Sequence, residues 1–304
     1  MRKFIVSDLH GNGEVYDSII AYLENISLVD EVELFINGDL IDRGQDGYRM
    51  LEDVIERING KGNIKINYLG GNHELMMYQA LKKRKTGKSI NYFCDWIRNG
   101  GRVIERELAT REDGEEKCEE FKHFLGDLKI YHKFKEMVNG NSIILVHARA
   151  PRLVLEECNM QIKDNNREVL KSVWTRENDR GNLLLIIGKL LGYYSIGKGG
   201  FLTIKGHTPI KSFPGFIYNK EENFINIDGG CAGYAVGRSE YNHVPLVEVK
   251  DGYLELLIFN HNNEIIDGYY FDGEVKKMAD YLIGSKRIFL NKNLDCNGLD
   301  NKKI

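Results

Sequence analysis

Short apolar runs rich in β-branched residues recur along the chain, and each stops on polar residues or glycine. They are KFIV at 3–6, VELFI at 32–36, IKINYL at 64–69, SIILV at 142–146, FLTI at 201–204 and NFINI at 223–227. Between the first three lie two segments of helical length, VYDSIIAYLENI at 15–26 and YRMLEDVIERI at 48–58. The second carries apolar residues at 51, 54, 55 and 58, the spacing of one helical face. Strand, helix, strand, helix, strand predicts βαβ units.

Residues 75–135 change character. LMMYQALKKRK reads as helix and REDGEEKCEEFKHFL as a charged helix, so a helical cap is predicted here. After residue 200 the chain turns β-rich. EVKDGYLELLIFNHNNEIIDGYYF predicts hairpins around Asp251-Gly252 and Asn262-Asn263. LLLIIGKLLGYYSIGKGG at 183–200 reads as a buried helix followed by a mobile lid, or alternatively as a partner surface, with the glycines at 197, 199 and 200 read as a flexible turn. The end of the chain, 291–304, is a polar tail, which leaves 1–290 as one domain.

Composition narrows the classes. The 304 residues are 42% hydrophobic and 29% charged, with a net charge of −3. That is enough chain to bury a substantial core, and the balance argues against a broad basic surface for nucleic acid. Cysteines 94, 118, 158, 231 and 296 form no CxxC pair, which suits reduced thiols in a cytosolic protein. MRKFIVSDLHG passes straight into a predicted strand without a signal-peptide core. LLLIIGKLLG at 183–192 is far shorter than a membrane span. The expectation is a cytoplasmic protein, neither secreted nor membrane-inserted.

The chemistry collects where the strands end. Strand one is followed by Asp8 and His10, strand two by Asp39, Asp42 and Arg43, strand three by Asn72, His73 and Glu74. The later runs lead to His147, His207 and Asp228. Four of the eight histidines therefore directly follow predicted strands. Function in open α/β sheets gathers at the carboxyl ends of strands, so strands sharing one sheet would bring these side chains to one rim. A bare cluster of acids and imidazoles would repel and desolvate badly, and cations remove that problem. Imidazole, carboxylate and amide donors without thiolate suit manganese, iron or zinc. The number of donors suits two ions with one carboxylate between them. Each motif alone also has a plain reading as a turn, a helix cap or a core histidine. Their shared position, always after a strand, favours chemistry.

The ordered set DLHG, GDLIDRG, GNHE, VHA and GHTP, with WIRNGG at 96–101 and VWTRE at 173–177, resembles the calcineurin-like metallophosphoesterases. Within them it is most similar to the PPP-type serine/threonine protein phosphatases in their compact bacterial form. The resemblance implies an α/β fold: a β-sandwich of two mixed sheets flanked by helices, with a dinuclear metal centre at one edge. By position, Asp8 and His10 would bind the first ion, Asp39 would bridge, and Asn72, His147 and His207 would complete the second. His73 would protonate the leaving group, oriented by Asp42, while Arg43 and Arg176 would grip the phosphate. Arg149, where many relatives have a small residue, would be a third clamp or narrow the pocket. The implied reaction is hydrolysis of a phosphate monoester by direct attack of a metal-bridging hydroxide, on a phosphorylated protein or a small phosphoester. The expected cofactor is a pair of divalent ions, Mn2+ first, with Fe or Zn as alternatives. A symmetrical dinucleoside tetraphosphate hydrolase is the rival enzyme, and a non-catalytic phospho-ligand binder is the rival of another class.

Overall fold

Strands β1 (Arg2–Val6), β2 (Val32–Asn37) and β3 (Ile64–Leu69) lie parallel, joined by helices α1 (Gly13–Ser27) and α2 (Gly47–Ile58). The computed structural model describes residues 1–83, 90–150, 159–175, 200–238, 243–262, 264–279, 282–283 and 286. The predicted helix at 183–192, the polar tail, Arg176, Cys158 and Cys296 lie outside the described residues. On its other side β1 pairs antiparallel with β9 (Val244–Lys250), which leads through hairpins into β10 (Tyr253–Phe259) and β11 (Ile265–Phe271). The first of these turns is Asp251-Gly252, as predicted, and the second spans the predicted Asn262 position. A short β12 (Val275–Lys277) closes this seven-stranded mixed sheet.

A second sheet of five strands faces the first. It contains β4 (Tyr131–Val138), β5 (Asn141–Val146), β6 (Phe201–Lys205), β7 (Ile217–Asn219) and β8 (Phe224–Asn226), in the order β4-β5-β6-β8-β7. Its central strands β5, β6 and β8 run parallel. Ile5, Phe35, Val247 and Leu256 of the first sheet pack against Phe134, Leu145, Ile204 and Ile225 of the second. The opposite face of the first sheet, with Phe4, Leu34 and Ile66, buries Val15, Ile19, Leu23, Leu51 and Val54 of the two helices. Covered on both faces, β1 and β2 carry the consecutive apolar runs Phe4–Val6 and Leu34–Ile36 instead of strict alternation.

Between β3 and β4 lie α3 (Asn72–Lys83), α4 (Ile90–Trp96), a π-helical turn (Ile97–Gly101), α5 (Arg102–Thr110) and α6 (Gly114–Asp127). The stretch expected to be helical through 135 is so only to Asp127, because β4 begins at Tyr131. The pattern hid β4 because it is an edge strand: Phe134 and Val138 are buried while Lys133, Lys135 and Met137 face solvent. Charged side chains are the usual protection of such an edge. No described helix is long and apolar enough to cross a membrane.

The strands that carry the candidate residues do not share one sheet. β1, β2 and β3 belong to the first and β5, β6 and β8 to the second. Their loops still meet: Asn37 at the end of β2 donates from its amide to Val146 O at the end of β5, 3.1 Å away. Replacing Leu145 with alanine removes a fully buried side chain from the layer between the sheets. The expected loss of unfolding free energy is about 2–5 kcal/mol in urea titration. A loss under about 1 kcal/mol would mean that this layer is not close-packed.

Candidate metal centre

The loops after the strands turn with backbone dihedrals that L-residues rarely adopt. Among the described residues nine non-glycines have φ between 42° and 70°, and six of them are Asp8, His10, Asp39, Asp42, Arg43 and His207. Such positions cost about 1–3 kcal/mol each and persist only where surrounding bonds hold them. The bonds are present. His10 N donates to Asp39 O (2.9 Å), Gly11 N to Leu40 O (2.8 Å), Gly44 N to His10 O (2.9 Å) and Asp46 N to Gly11 O (3.1 Å). The β1 and β2 loops are thus zipped together. Across the sheets, His207 N donates to Asp8 Oδ1 at 3.0 Å, and within the second sheet Gly206 N donates to His147 O at 2.8 Å.

Asp39 lies at the middle. Its Oδ1 accepts from His73 N (3.0 Å) and sits 3.4 Å from His147 Nε2, and its Oδ2 is 3.5 Å from His10 Nε2. Two groups of buried donors result, His10–Asp39–His73 and Asp39–His147–His207, each with its atoms within 4.8 Å of one another. Asp39 belongs to both. Asn72 joins the second through its Oδ1, 3.1 Å from His147 Nε2.

Carbonyls orient the imidazoles. His147 Nδ1 lies 2.9 Å from Asn37 O and His10 Nδ1 3.3 Å from Ile41 O. A carbonyl only accepts, so these nitrogens carry protons and each Nε2 faces Asp39. His207 is turned the other way. Its Nε2 meets Trp174 O at 3.2 Å, at the end of α7 (Arg167–Trp174), so its Nδ1 carries the lone pair that could ligate a metal.

The electrostatics call for a cation. Burial works against charge on His147, but the Asp39 and Asp8 carboxylates overcome it and raise its pKa to about 10. Burial likewise opposes charge on Asp39, yet His147 and His73 hold it well below the usual carboxylate range. Burial and then the Asp228 charge push Asp8 well above that range. Burial, opposed by the Gly230 amide, lifts Asp228 to about 7. His10 is driven well below its ordinary value by burial and by His73, which leaves it a neutral imidazole. Three buried carboxylates among buried imidazoles, with ring nitrogens fixed toward one shared oxygen pair, form a donor set that fits divalent metal.

The calcineurin-like phosphoesterase family model matches residues 1–275. The chain belongs to that family. It is a phosphoester hydrolase by membership, of a dinuclear metal-dependent class. Several solved structures resemble it at low identity. A cold-active protein-tyrosine phosphatase of the psychrophile Shewanella sp. is 15% identical with a TM-score of 0.46, covering 91% of this chain and 80% of that one. A serine/threonine phosphatase from Saccharomyces cerevisiae is 13% identical with a TM-score of 0.43, covering 82% and 72%. A metallophosphoesterase from Sphaerobacter thermophilus is 14% identical with a TM-score of 0.37, covering 97% and 95%. No curated protein sequence matches the chain.

In this phosphoesterase a second cluster adjoins the donors. His73 Nδ1 is 2.7 Å from Asp42 Oδ2, and both side chains are fully buried. Arg43, half-buried, places Nη2 3.1 Å from His73 Nε2. Asp8, His10, Asp39, Asp42, Arg43, Asn72, His73, His147 and His207 are therefore brought together. Arg149 stands on the loop after β5 with its amide donating to Ser172 O at 3.2 Å. Burial and the Arg149 charge, against Glu222, lower Lys205 at the end of β6 to about 8.

Three residues of the site had no role in the motif reading. Asp228 follows a predicted strand like the others, and its buried charge bears on Asp8. Trp96 sits in WIRNGG and donates to Asp42. Glu74 closes GNHE, and an acid at a helix start can reach back to free amides. Its Oε2 accepts from Asp39 N and Gly71 N, both at 2.8 Å, and its Oε1 from Leu40 N (3.2 Å) and Tyr68 Oη (2.6 Å). This one carboxylate ties the β2 loop to the β3 loop. Glutamine at 74 keeps only one accepting oxygen, so at least one buried N–H loses its partner. Glu74→Gln is expected to lower unfolding free energy by about 1–3 kcal/mol in denaturant titration. A loss under about 0.5 kcal/mol would show that the clamp bears no load.

Proposed function

We propose that this calcineurin-like phosphoesterase is a phosphate monoester hydrolase of the serine/threonine protein phosphatase type. The observation that carries the reading is the buried His73–Asp42 pair, with Arg43 against it, directly beside the donor groups that share Asp39. Asp8, His10 and Asp39 would hold one divalent ion, and Asp39, Asn72, His147 and His207 the other. When bound, the ions would supply Lewis acidity and bring the pKa of water from about 15.7 toward 7.

The chain's own groups do the rest. Arg43 offers a planar pair of donors to phosphate oxygens, and Arg176 and Arg149 are proposed to add to that grip. His73 gives its Nε2 proton to the departing alkoxide. Asp42 accepts from Nδ1 and so keeps the ring turned with Nε2 outward. Burial opposes a proton on His73, but the Asp39 and Asp42 carboxylates offset it and raise its pKa, which suits a donor. His73 also belongs geometrically to a donor group. Arg43 can only donate, so at 3.1 Å it meets the Nε2 lone pair, and the acid role requires this arginine to turn onto the phosphate when substrate binds. Manganese is the proposed metal, and a reducing compartment such as the cytoplasm suits the free thiols of Cys94, Cys118 and Cys231.

Protein purified without chelators is expected to contain about two divalent ions per chain. Asp39→Asn is expected to lose most of that metal and nearly all turnover. Full metal and full activity in this variant would refute the shared ligand. In a substrate panel with manganese, phosphoserine and phosphothreonine peptides are expected to turn over faster than diadenosine tetraphosphate. The reverse order would identify the dinucleotide hydrolase instead, and no turnover of any phosphoester would leave a binding protein. His73→Asn is expected to slow phenyl phosphate more than p-nitrophenyl phosphate, by about 10²-fold or more. Equal slowing would remove the histidine from the acid role.

A further inference from the structure

The segment WIRNGG reaches the site from the helical insertion, and the metal and acid chemistry described above leave it unused. Trp96 is 1% exposed at the end of α4. Its Nε1 donates to both oxygens of Asp42, at 3.0 Å and 3.1 Å. Asp42 and His73 are each 0% exposed, so the three groups form a closed row: indole N–H, carboxylate, imidazole. A carboxylate buried without water needs donors on both oxygens. The indole is a donor only and cannot accept or relay a proton. It therefore holds Asp42 as a pure acceptor and gives the histidine's proton no second route.

The turn that follows is built around this contact. A π-helical turn runs from Ile97 to Gly101 immediately after Trp96. A Cβ at Gly101 would come within 2.3 Å of the indole's Nε1 and Cε2, so only glycine lets the ring lie where it does. Gly100, at φ +111°, brings its carbonyl to Arg43 N at 3.1 Å, and a Cβ there would strike Arg43 Cγ at 2.6 Å. Asp42 and Arg43 are consecutive and both left-handed, at φ 69° and 70°. One turn of the insertion thus holds the side chain of the first and the backbone of the second.

We propose that Trp96 is the positioning residue of the proton donor: its indole N–H fixes the Asp42 carboxylate that orients His73, so the helical insertion completes the acid. The inference rests on the proposed role of His73 as general acid. It explains the spacing of the motif, since the tryptophan supplies the donor, the last glycine makes room for its ring, and the preceding glycine braces Arg43.

The test is the ratio of turnover on phenyl phosphate to that on p-nitrophenyl phosphate with manganese present. The two substrates differ in how much the leaving oxygen needs a proton. A loss of folded protein or of metal lowers both rates together and leaves the ratio in place. Trp96→Phe, which keeps an aromatic ring and removes the N–H, is expected to lower the ratio by about 10-fold, part of the 10²- to 10⁴-fold that a general acid contributes. Gly101→Ala, which displaces the indole, is expected to move it the same way. In the His73→Asn background Trp96→Phe is expected to change the ratio less than about 2-fold, because groups acting as a unit are non-additive. A ratio lowered by His73→Asn but unmoved by both Trp96→Phe and Gly101→Ala would overturn the role of Trp96 alone. A ratio unmoved by His73→Asn would overturn the acid assignment and this inference with it.

Discussion

A single carboxylate, Asp39, organises this molecule. It is 3% exposed, accepts from the amide of His73, and has the ring nitrogens of His10 and His147 within 3.5 Å. Such a group is unfavourable in a protein interior unless its charge is matched and its position enforced. Its positive partners, His73 and His147, come from two different sheets, and the enforcement comes from the backbone. Everything else at the rim serves one of those two needs.

The enforcement is visible as strain held in place. Six residues of the site turn through left-handed backbone, and none is glycine. Main-chain hydrogen bonds zip the loops after β1 and β2, and Glu74 binds the loops after β2 and β3 with four contacts from one side chain. Trp96 then reaches in from the helical insertion to Asp42. Loops braced from three directions have little freedom to relax, which is how donor atoms stay aimed at a common point. The same bracing explains why these loops end apolar strands buried on both faces. A layer of aliphatic side chains on each side anchors the strand ends whose turns carry the cost.

The two-sheet arrangement solves a problem of charge as well as of shape. Asp8, Asp39 and Asp228 are all buried, and Asp228 raises the pKa of Asp8. Placing them on strands of opposing sheets lets histidines from both sides interleave with the acids. It also brings donor atoms from both sheets within 4.8 Å of one another around Asp39. The His73–Asp42 pair adjoins those donors directly, with His73 Nε2 3.8 Å from Asp39 Oδ2 and Arg43 Nη2 3.1 Å from the same nitrogen.

The sequence by itself determined the parts that local physics controls. Strands buried on both faces write themselves as continuous apolar runs, helices as a 3.6-residue stripe, and turns that interrupt them as DxHG, GDxxDRG and GNHE. The candidate donors were legible for that reason, residue by residue, and the resemblance to the phosphoesterase family ordered them. Edge strand β4 was not legible, because its charged outer face erases the apolar run. The two mixed sheets were implied by the family resemblance and are present, but no local pattern encodes their split: Asn37 meeting Val146 is a contact over more than a hundred residues. Tertiary structure alone decided that Asp228 bears on Asp8, that Glu74 clamps two loops, and that Trp96 meets Asp42. Each of these depends on where distant backbone brings a partner, and hydrogen bonds act only over about 3 Å.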